Sequence, residues 1–149
     1  MWFNEPSDGR IISWRNWRNT LENKPVETIV TEIASVWSQV PTVLHFLAPD
    51  TKDEWPNPWQ LVTDNYYCDL GICLGMFYTL ALIESPKFNN LAIEIYKTPN
   101  GWINLSSIDH GKYVLNFDHG RVVNSEYVSL DKINLVYSYS KIDLSEKFH

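Results

Sequence analysis

The chain has 149 residues, of which 44% are hydrophobic and 20% charged, and its formal net charge is −6. This length and composition are typical of one globular domain with a substantial core, and they predict a single domain over residues 1–149. The negative charge argues against a protein that follows nucleic-acid phosphates, because such proteins present a basic face. The first residues lack the basic and apolar stretches of a secretory signal peptide.

The cysteines and the longest apolar run bear on the compartment of the protein. Cys68 and Cys73 are five residues apart, so on one helix their side chains point to different faces and do not form a disulfide. This favours a reducing, cytoplasmic location. The apolar run 64–83 holds two glycines and acidic residues and lacks basic flanks, which favours a buried helix over a membrane span.

Two helices are predicted before residue 41. Ser13 is a candidate N-cap for a short helix that ends near residue 23. Pro25 suits the first turn of a second helix, because its missing N–H costs nothing there. Apolar residues recur at steps of three and four from 26 to 40, which indicates an amphipathic helix.

The segment Trp-Pro-Asn-Pro-Trp, residues 55–59, lies in a loop rich in proline and acidic residues. One interpretation is that Trp55 and Trp59 pin the loop to the core. The other is that the two indoles form an aromatic groove for a partner or substrate, since exposed tryptophans favour binding sites.

The central helix is predicted at about residues 66–84, with Asp64 or Asn65 as its cap. Few of its positions are polar, so neighbouring elements should cover most of its surface. Gly71 and Gly75 are four residues apart and would allow another segment to approach closely on that face. The helical half of the domain is therefore residues 13–84.

From residue 90 to 140 the hydrophobic period changes to two, which is typical of strands. Asn100-Gly101 is a strong hairpin signal, and two Asp-His-Gly turns follow. Helices followed by strands predict an α+β fold in which N-terminal helices pack on a C-terminal antiparallel β-meander of four to five strands. The predicted strands are 91–96, 102–108, 112–117, 121–128 and 133–139.

Cys68 is the residue that most suggests catalysis. It falls in the first turn of the predicted central helix, where the helix dipole and unpaired N–H groups favour a reactive thiolate. A cysteine at a helix start followed by an antiparallel sheet resembles the layout of the papain-like and transglutaminase-like thiol enzymes. The resemblance covers about residues 66–139 and implies that the sheet brings a histidine, and then an acid or an amide, to the thiol.

The first two predicted strands contain no histidine, so this sequence departs from the pattern of that superfamily. The histidines that follow the helix are in turns. The alternative is that Cys68 is a small buried hydrophobic residue, as free cysteines usually are. The candidate catalytic residues are the nucleophile Cys68, the base His119 and the orienting group Asp118, with His110, Asp109 and Asn116 as alternatives.

No metal site or cofactor is expected. Two cysteines and four histidines show none of the paired spacings that structural zinc uses. The two Asp-His-Gly turns should lie at opposite ends of a meander, so their side chains should not meet. The sequence also has no glycine-rich phosphate loop.

A second resemblance concerns the loop 55–59 and the stretches Tyr-Cys-Asp-Leu and Leu-Gly-Met-Phe-Tyr-Thr-Leu. Together they are similar to small uncharacterised proteins that bacteriophages encode. This resemblance implies an accessory or host-interaction role.

Two functions are therefore predicted. The first is a small soluble intracellular protein that binds another protein through Trp55 and Trp59 or through a sheet edge, with no membrane or nucleic-acid partner and no catalytic activity. The alternative is a cysteine hydrolase or transamidase of papain/transglutaminase-like layout, in intact or degenerate form. A homodimer is compatible with both.

Overall fold

The computed structural model describes residues 1–86, 88–129 and 133–149. Helices come first and an antiparallel sheet follows, which confirms the α+β fold class. None of the helices in these three ranges has the length and hydrophobicity needed to cross a bilayer. The helices are α1 (Arg10–Leu21), α2 (Val26–Trp37), α3 (Pro58–Asp64), α4 (Asp69–Ala81) and α5 (Ser125–Val128), and the strands are β1 (Ala92–Thr98), β2 (Gly101–Ile108), β3 (Tyr113–Leu115), β4 (Val122–Val123) and β5 (Asn134–Ser140).

The five strands are ordered β4-β3-β2-β1-β5, and each described pair is antiparallel. The first four strands form the predicted meander, and β5 pairs with the free side of β1. The predicted fourth strand, 121–128, is shorter than expected. It ends after Val123 because the Asn124 side chain accepts a hydrogen bond from the Tyr127 N–H at 2.8 Å and caps the short helix α5.

The central helix α4 begins at Asp69 rather than at residue 66, and Cys68 is its N-cap. The delay has a local cause. Tyr67 forms a parallel bridge with the segment that follows α2: its N–H donates to the Pro41 carbonyl at 3.2 Å, and its carbonyl accepts from the Val43 N–H at 3.0 Å. This pairing keeps the backbone extended up to Cys68, and the predicted cap Asn65 instead ends α3 in a left-handed conformation.

Buried tryptophans fix the position of α4 against the first two helices. A Cβ atom on Gly75 would lie 2.2 Å from the Cη2 of Trp37, so a ring, and not a backbone, makes the close approach expected there. The Thr79 hydroxyl accepts N–H bonds from Trp14 at 3.3 Å and Trp37 at 3.0 Å, and donates to the Gly75 carbonyl at 2.7 Å. The Thr79 hydroxyl and the indole N–H groups of Trp14 and Trp37 are therefore all hydrogen-bonded.

On its other side α4 packs against β2. The Ser106 hydroxyl donates to the Cys73 carbonyl at 2.9 Å, so β2 crosses the helix without an intervening layer. Side chains alternate along a strand, so Asn104 points to the same face as Ser106 and reaches the first turn of α4. This contact creates the site described next.

Candidate active site

The Cys68 side chain lies in the core. Only 1% of the residue is exposed. A Cβ atom placed on Gly71 would lie 3.8 Å from the Cys68 sulfur and 3.9 Å from the Leu47 Cδ1 atom. No histidine in the part of the chain that the structure describes is hydrogen-bonded to this sulfur. The arrangement is that of a small buried hydrophobic residue.

Asp69, one residue later, is exposed to solvent and is hydrogen-bonded to two amides of the sheet. The Asn104 Nδ2 group donates to Oδ2 of Asp69 at 2.8 Å, and the Asn116 Nδ2 group donates to Oδ1 at 3.3 Å. Asn116 also donates to the Asn104 backbone carbonyl at 2.9 Å. The cluster thus joins the start of α4, the middle of β2 and the residue after β3.

Backbone conformation places Asn116 in this cluster. Its φ is +73°, in the left-handed region that asparagine tolerates better than most residues. The chain turns sharply there, immediately after β3, and the amide can therefore reach back to Asp69.

Asn104 carries an unused acceptor. The residue is 6% exposed, and its Oδ1 is buried without a hydrogen-bond partner among the described residues. The opposite orientation of the amide would place Oδ1 against the Asp69 carboxylate, so the bond to Asp69 fixes the orientation. A buried carbonyl oxygen without a donor costs about 1–3 kcal/mol, and a ligand N–H or a water would relieve that cost.

A cleft of about 300 Å³ opens over this cluster. Asp69 and Asn116 line the cleft together with His119 and Gly120 of the β3–β4 connection and with Thr42 of the segment after α2. His119 is exposed. The structure therefore places this candidate base in the same cleft as Asp69, whereas Cys68 is not part of the cleft lining.

The other candidate catalytic residues lie elsewhere. Asp118 forms an ion pair with Arg121 at 3.3 Å on the surface of its turn. Asp109 and His110 are in the β2–β3 turn at the opposite end of the sheet, as expected for successive turns of a meander. His110 lines a separate depression with Glu94 of β1. Neither histidine–aspartate turn assembles with the Cys68 thiol.

The two loop tryptophans have different roles. Trp55 is 3% exposed, and its Nε1 donates to the Ala48 carbonyl at 2.8 Å, so it does pin the loop to the core. Its ring also forms part of the lining of a groove, described below. Trp59 is half-buried on α3 and is not among the residues that line this groove.

Burial suppresses ionisation of two groups near the cluster. Burial raises the pKa of Tyr67 to about 12, and the Trp2 Nε1 group donates to its hydroxyl at 3.2 Å. Burial also raises the pKa of the Cys73 thiol. Asp69 is the exposed carboxylate of the first turn of α4.

The elements that carry the cluster occur in the order expected from the papain/transglutaminase-like layout, but they bring different chemical groups. In that layout a helix start carries the thiol, and the sheet supplies the imidazole and then an acid or amide. Here the helix start carries Asp69, β2 supplies Asn104 and the end of β3 supplies Asn116. Sequence reasoning named Asn116 as an alternative orienting group but missed Asp69 and Asn104, although Asp69 is the one carboxylate of the apolar run after its start and Asn104 is the one amide in β2.

Comparison with known proteins finds similarity in fold alone. No protein-family model matches the chain, and no curated protein matches it. Solved structures of Legionella pneumophila LapG do match. One covers 89% of this chain and 75% of LapG with a TM-score of 0.69 and 18% identity, and the calcium-bound form covers 91% and 76% with a TM-score of 0.70 and 16% identity.

One LapG structure contains calcium, which raises the question of a metal site in this chain. Within residues 1–86, 88–129 and 133–149, no group of three or more His, Cys, Asp or Glu side chains could hold a metal ion. The residues of the Asp69 cluster do not fit either, because two of the three are amides that donate their N–H groups to the carboxylate.

These neighbours correct two predictions. LapG is a cysteine protease of the transglutaminase-like type, so the prediction of a protein-binding accessory protein without catalytic activity is wrong, and the alternative, hydrolase-like reading is the better supported one. The resemblance to bacteriophage proteins has no support from these comparisons. In fold, the chain is similar to a transglutaminase-like cysteine protease.

Proposed function

We propose that this chain is a degenerate cysteine hydrolase in which the Asp69 carboxylate, and not a thiol, acts on an amide or ester carbonyl. The observation that carries the proposal is the Asp69–Asn104–Asn116 cluster, with donor–acceptor distances of 2.8 and 3.3 Å, two members of which, Asp69 and Asn116, line an open cleft. Cys68 is 1% exposed and does not line that cleft.

Asp69 is suited to the role of general base. An ionised carboxylate has about four lone-pair sites, and Asn104 and Asn116 use two of them, so the others are open to a water in the cleft. The carboxylate takes a proton from this water while the water oxygen bonds to the substrate carbonyl carbon. The two amides hold the carboxylate in one position, which keeps the entropic cost of the step low.

The later steps use neighbouring groups. First-turn N–H groups of α4 can donate to the developing oxyanion, because Cys68 makes no capping hydrogen bond. When the carbonyl–nitrogen bond breaks, the amine needs a proton, and His119 in its imidazolium form can supply it from the same cleft.

The chemistry predicts hydrolysis and not transamidation. Transamidation by thiol enzymes requires an acyl group held as a thioester until an amine arrives. A carboxylate that activates water forms no such intermediate. The choice between the two activities therefore depends on whether the accessible residue at the helix start is Asp69 or Cys68.

The test is hydrolysis of a peptide mixture, followed by mass spectrometry, with the wild-type chain, Asp69→Asn and Cys68→Ala. Loss of a general base typically costs about 10²–10⁴-fold in rate, so Asp69→Asn should lose activity while its circular dichroism spectrum shows that it remains folded. Cys68→Ala should keep its rate, and iodoacetamide should not inhibit.

Three results would overturn the proposal. The first is an absence of hydrolysis by the wild-type chain. The second is loss of activity in folded Cys68→Ala together with its retention in Asp69→Asn. The third is incorporation of a fluorescent primary amine into a glutamine-containing peptide, which would require a thioester.

A further inference from the structure

A second, larger depression lies beside the cleft. It has a volume of about 690 Å³, and we name it the acidic groove. Its apolar lining residues are Phe46, Leu47, Trp55, Pro56, Leu61 and Tyr66.

The residues that line the acidic groove and those that line the cleft are close together along the chain. Residues 42–43 line the cleft and residues 46–47 line the groove, so one segment of chain passes along both. On the other side, Tyr67 lines the cleft and its neighbour Tyr66 lines the groove. The same two segments of chain therefore border the cleft and the acidic groove.

Leu44, Phe46 and Tyr66 expose apolar side chains to solvent near the groove. Leu44 is 91% exposed, and Phe46 and Tyr66 are each 46% exposed. The rings of Phe46 and Tyr66 are 5.4 Å apart and make one aromatic surface at the groove entrance. Clustered apolar residues of this kind mark a binding surface more than scattered ones do.

The charges around the groove have one sign. Asp53, Glu54 and Asp64 line it and are exposed, and no lysine, arginine or histidine is among its lining residues. Within the part of the chain that the structure describes, none of these three carboxylates forms an ion pair with a basic side chain. The buried amine of Lys147 lies nearby but donates to backbone carbonyls of Asp53 and Trp55.

We infer that the acidic groove selects the substrate and takes a peptide segment that carries apolar and cationic side chains. This inference rests on the proposed function for the meaning of "substrate", but not for the binding itself. The aromatic entrance takes an aliphatic or aromatic side chain, and the three carboxylates attract lysine or arginine side chains.

The experiment measures fluorescence anisotropy of labelled, N-acetylated hexapeptides with the Asp69→Asn variant, which binds without turnover. Three peptides are compared: alternating leucine and lysine, leucine and glutamate, and serine and lysine. We expect the leucine–lysine peptide to bind at least about tenfold more tightly than either other peptide, because only it satisfies both the apolar surface and the charge.

Charge variants locate the site. Replacement of the groove carboxylates by Asp53→Asn, Glu54→Gln and Asp64→Asn should weaken binding of the leucine–lysine peptide by about tenfold or more. A matched control removes the same charge from distant exposed positions. The control carries Asp8→Asn, Glu27→Gln and Glu126→Gln and should change affinity less than about twofold.

Equal losses in the two triple variants would overturn the inference, since they would show a bulk charge effect. Equal binding of the three peptides would overturn it as well. If the groove variant does not fold, the salt dependence of binding to the Asp69→Asn protein serves instead. Its affinity for the leucine–lysine peptide should fall by roughly fivefold or more between 50 and 500 mM NaCl. An unchanged affinity would refute the role of the carboxylates.

The outcomes separate this inference from the proposed function. Selective binding by Asp69→Asn without any hydrolysis by the wild-type chain would retain the groove and refute the hydrolase. Hydrolysis without preference for apolar and cationic side chains would do the reverse.

Discussion

The two glycines of α4 should respond in opposite directions to the same substitution. A Cβ on Gly75 would lie 2.2 Å from Trp37 Cη2 and 2.4 Å from Cζ3, far inside van der Waals contact. The nearest atoms to a Cβ on Gly71 are at 3.8 Å, an ordinary contact distance. Gly75→Ala must therefore displace a fully buried indole, whereas Gly71→Ala needs no movement.

The magnitudes follow from these distances. Overpacking of a core usually costs about 1–3 kcal/mol, and displacement of Trp37 also strains its 3.0 Å bond to Thr79, so we expect Gly75→Ala to lose about 3 kcal/mol or more. Alanine in a helix interior is favoured over glycine by about 0.5–1 kcal/mol. Gly71→Ala should therefore stabilise the protein by about that amount.

Equilibrium unfolding in urea, followed by tryptophan fluorescence, measures both variants against the wild-type chain. The substitutions are identical in chemistry and lie on the same helix, so propensity and unfolded-state effects largely cancel between them. Equal free energies of unfolding for the two variants would refute the packing of Trp37 on Gly75, and with it the mechanism that positions α4 and Asp69.

Three further predictions concern the core, the thiols and pH. Thr79→Val should lower the free energy of unfolding in urea by about 2–5 kcal/mol, because the indole N–H groups of Trp14 and Trp37 lose their acceptor. The exposed control Thr31→Val loses only a bond to the Glu27 carbonyl and should cost less than about 0.5 kcal/mol. Equal losses in the two variants would contradict the hydrogen bonds of both indoles to Thr79. Native wild-type protein should take up no iodoacetamide, because Cys68 and Cys73 are buried, whereas Asp69→Cys should gain one adduct by mass spectrometry; an adduct on Cys68 would contradict its buried position. Burial raises the folded-state pKa of Tyr67 from 10 to about 12, so the contribution of its neutral hydroxyl to stability is present below pH 10 and lost as pH rises through 12. Between pH 9 and 12, Tyr67→Phe should therefore lose less free energy of unfolding in urea than the wild type does. Parallel losses in the two proteins would refute the raised pKa of Tyr67.

Much of the fold could be predicted from the sequence because it follows from local patterns. The three- and four-residue apolar repeat marked α2, the Asn-Gly turn marked the β1–β2 hairpin, and the change of period near residue 90 marked the boundary between helices and sheet. The order of helix and sheet was also enough to suggest the papain/transglutaminase-like layout. These signals depend on side-chain periodicity and turn chemistry, which are properties of neighbouring residues.

The start of α4 was decided by tertiary structure. The parallel bridge between Tyr67 and the segment after α2 joins residues more than twenty positions apart, and it delays the helix to Asp69. A shift of a few residues on a helix changes which side chain faces the sheet, because successive residues are about 100° apart. Cys68 consequently points into the core and Asp69 into the cleft.

The site therefore depended on contacts that no local pattern encodes. Asn104 and Asn116 reach Asp69 only because β2 crosses α4 and because the backbone turns at Asn116 with a positive φ. The sequence by itself determined which elements form and in what order. Only the packing of those elements determined that a carboxylate and two amides, rather than a thiol and a histidine, meet at the start of the central helix.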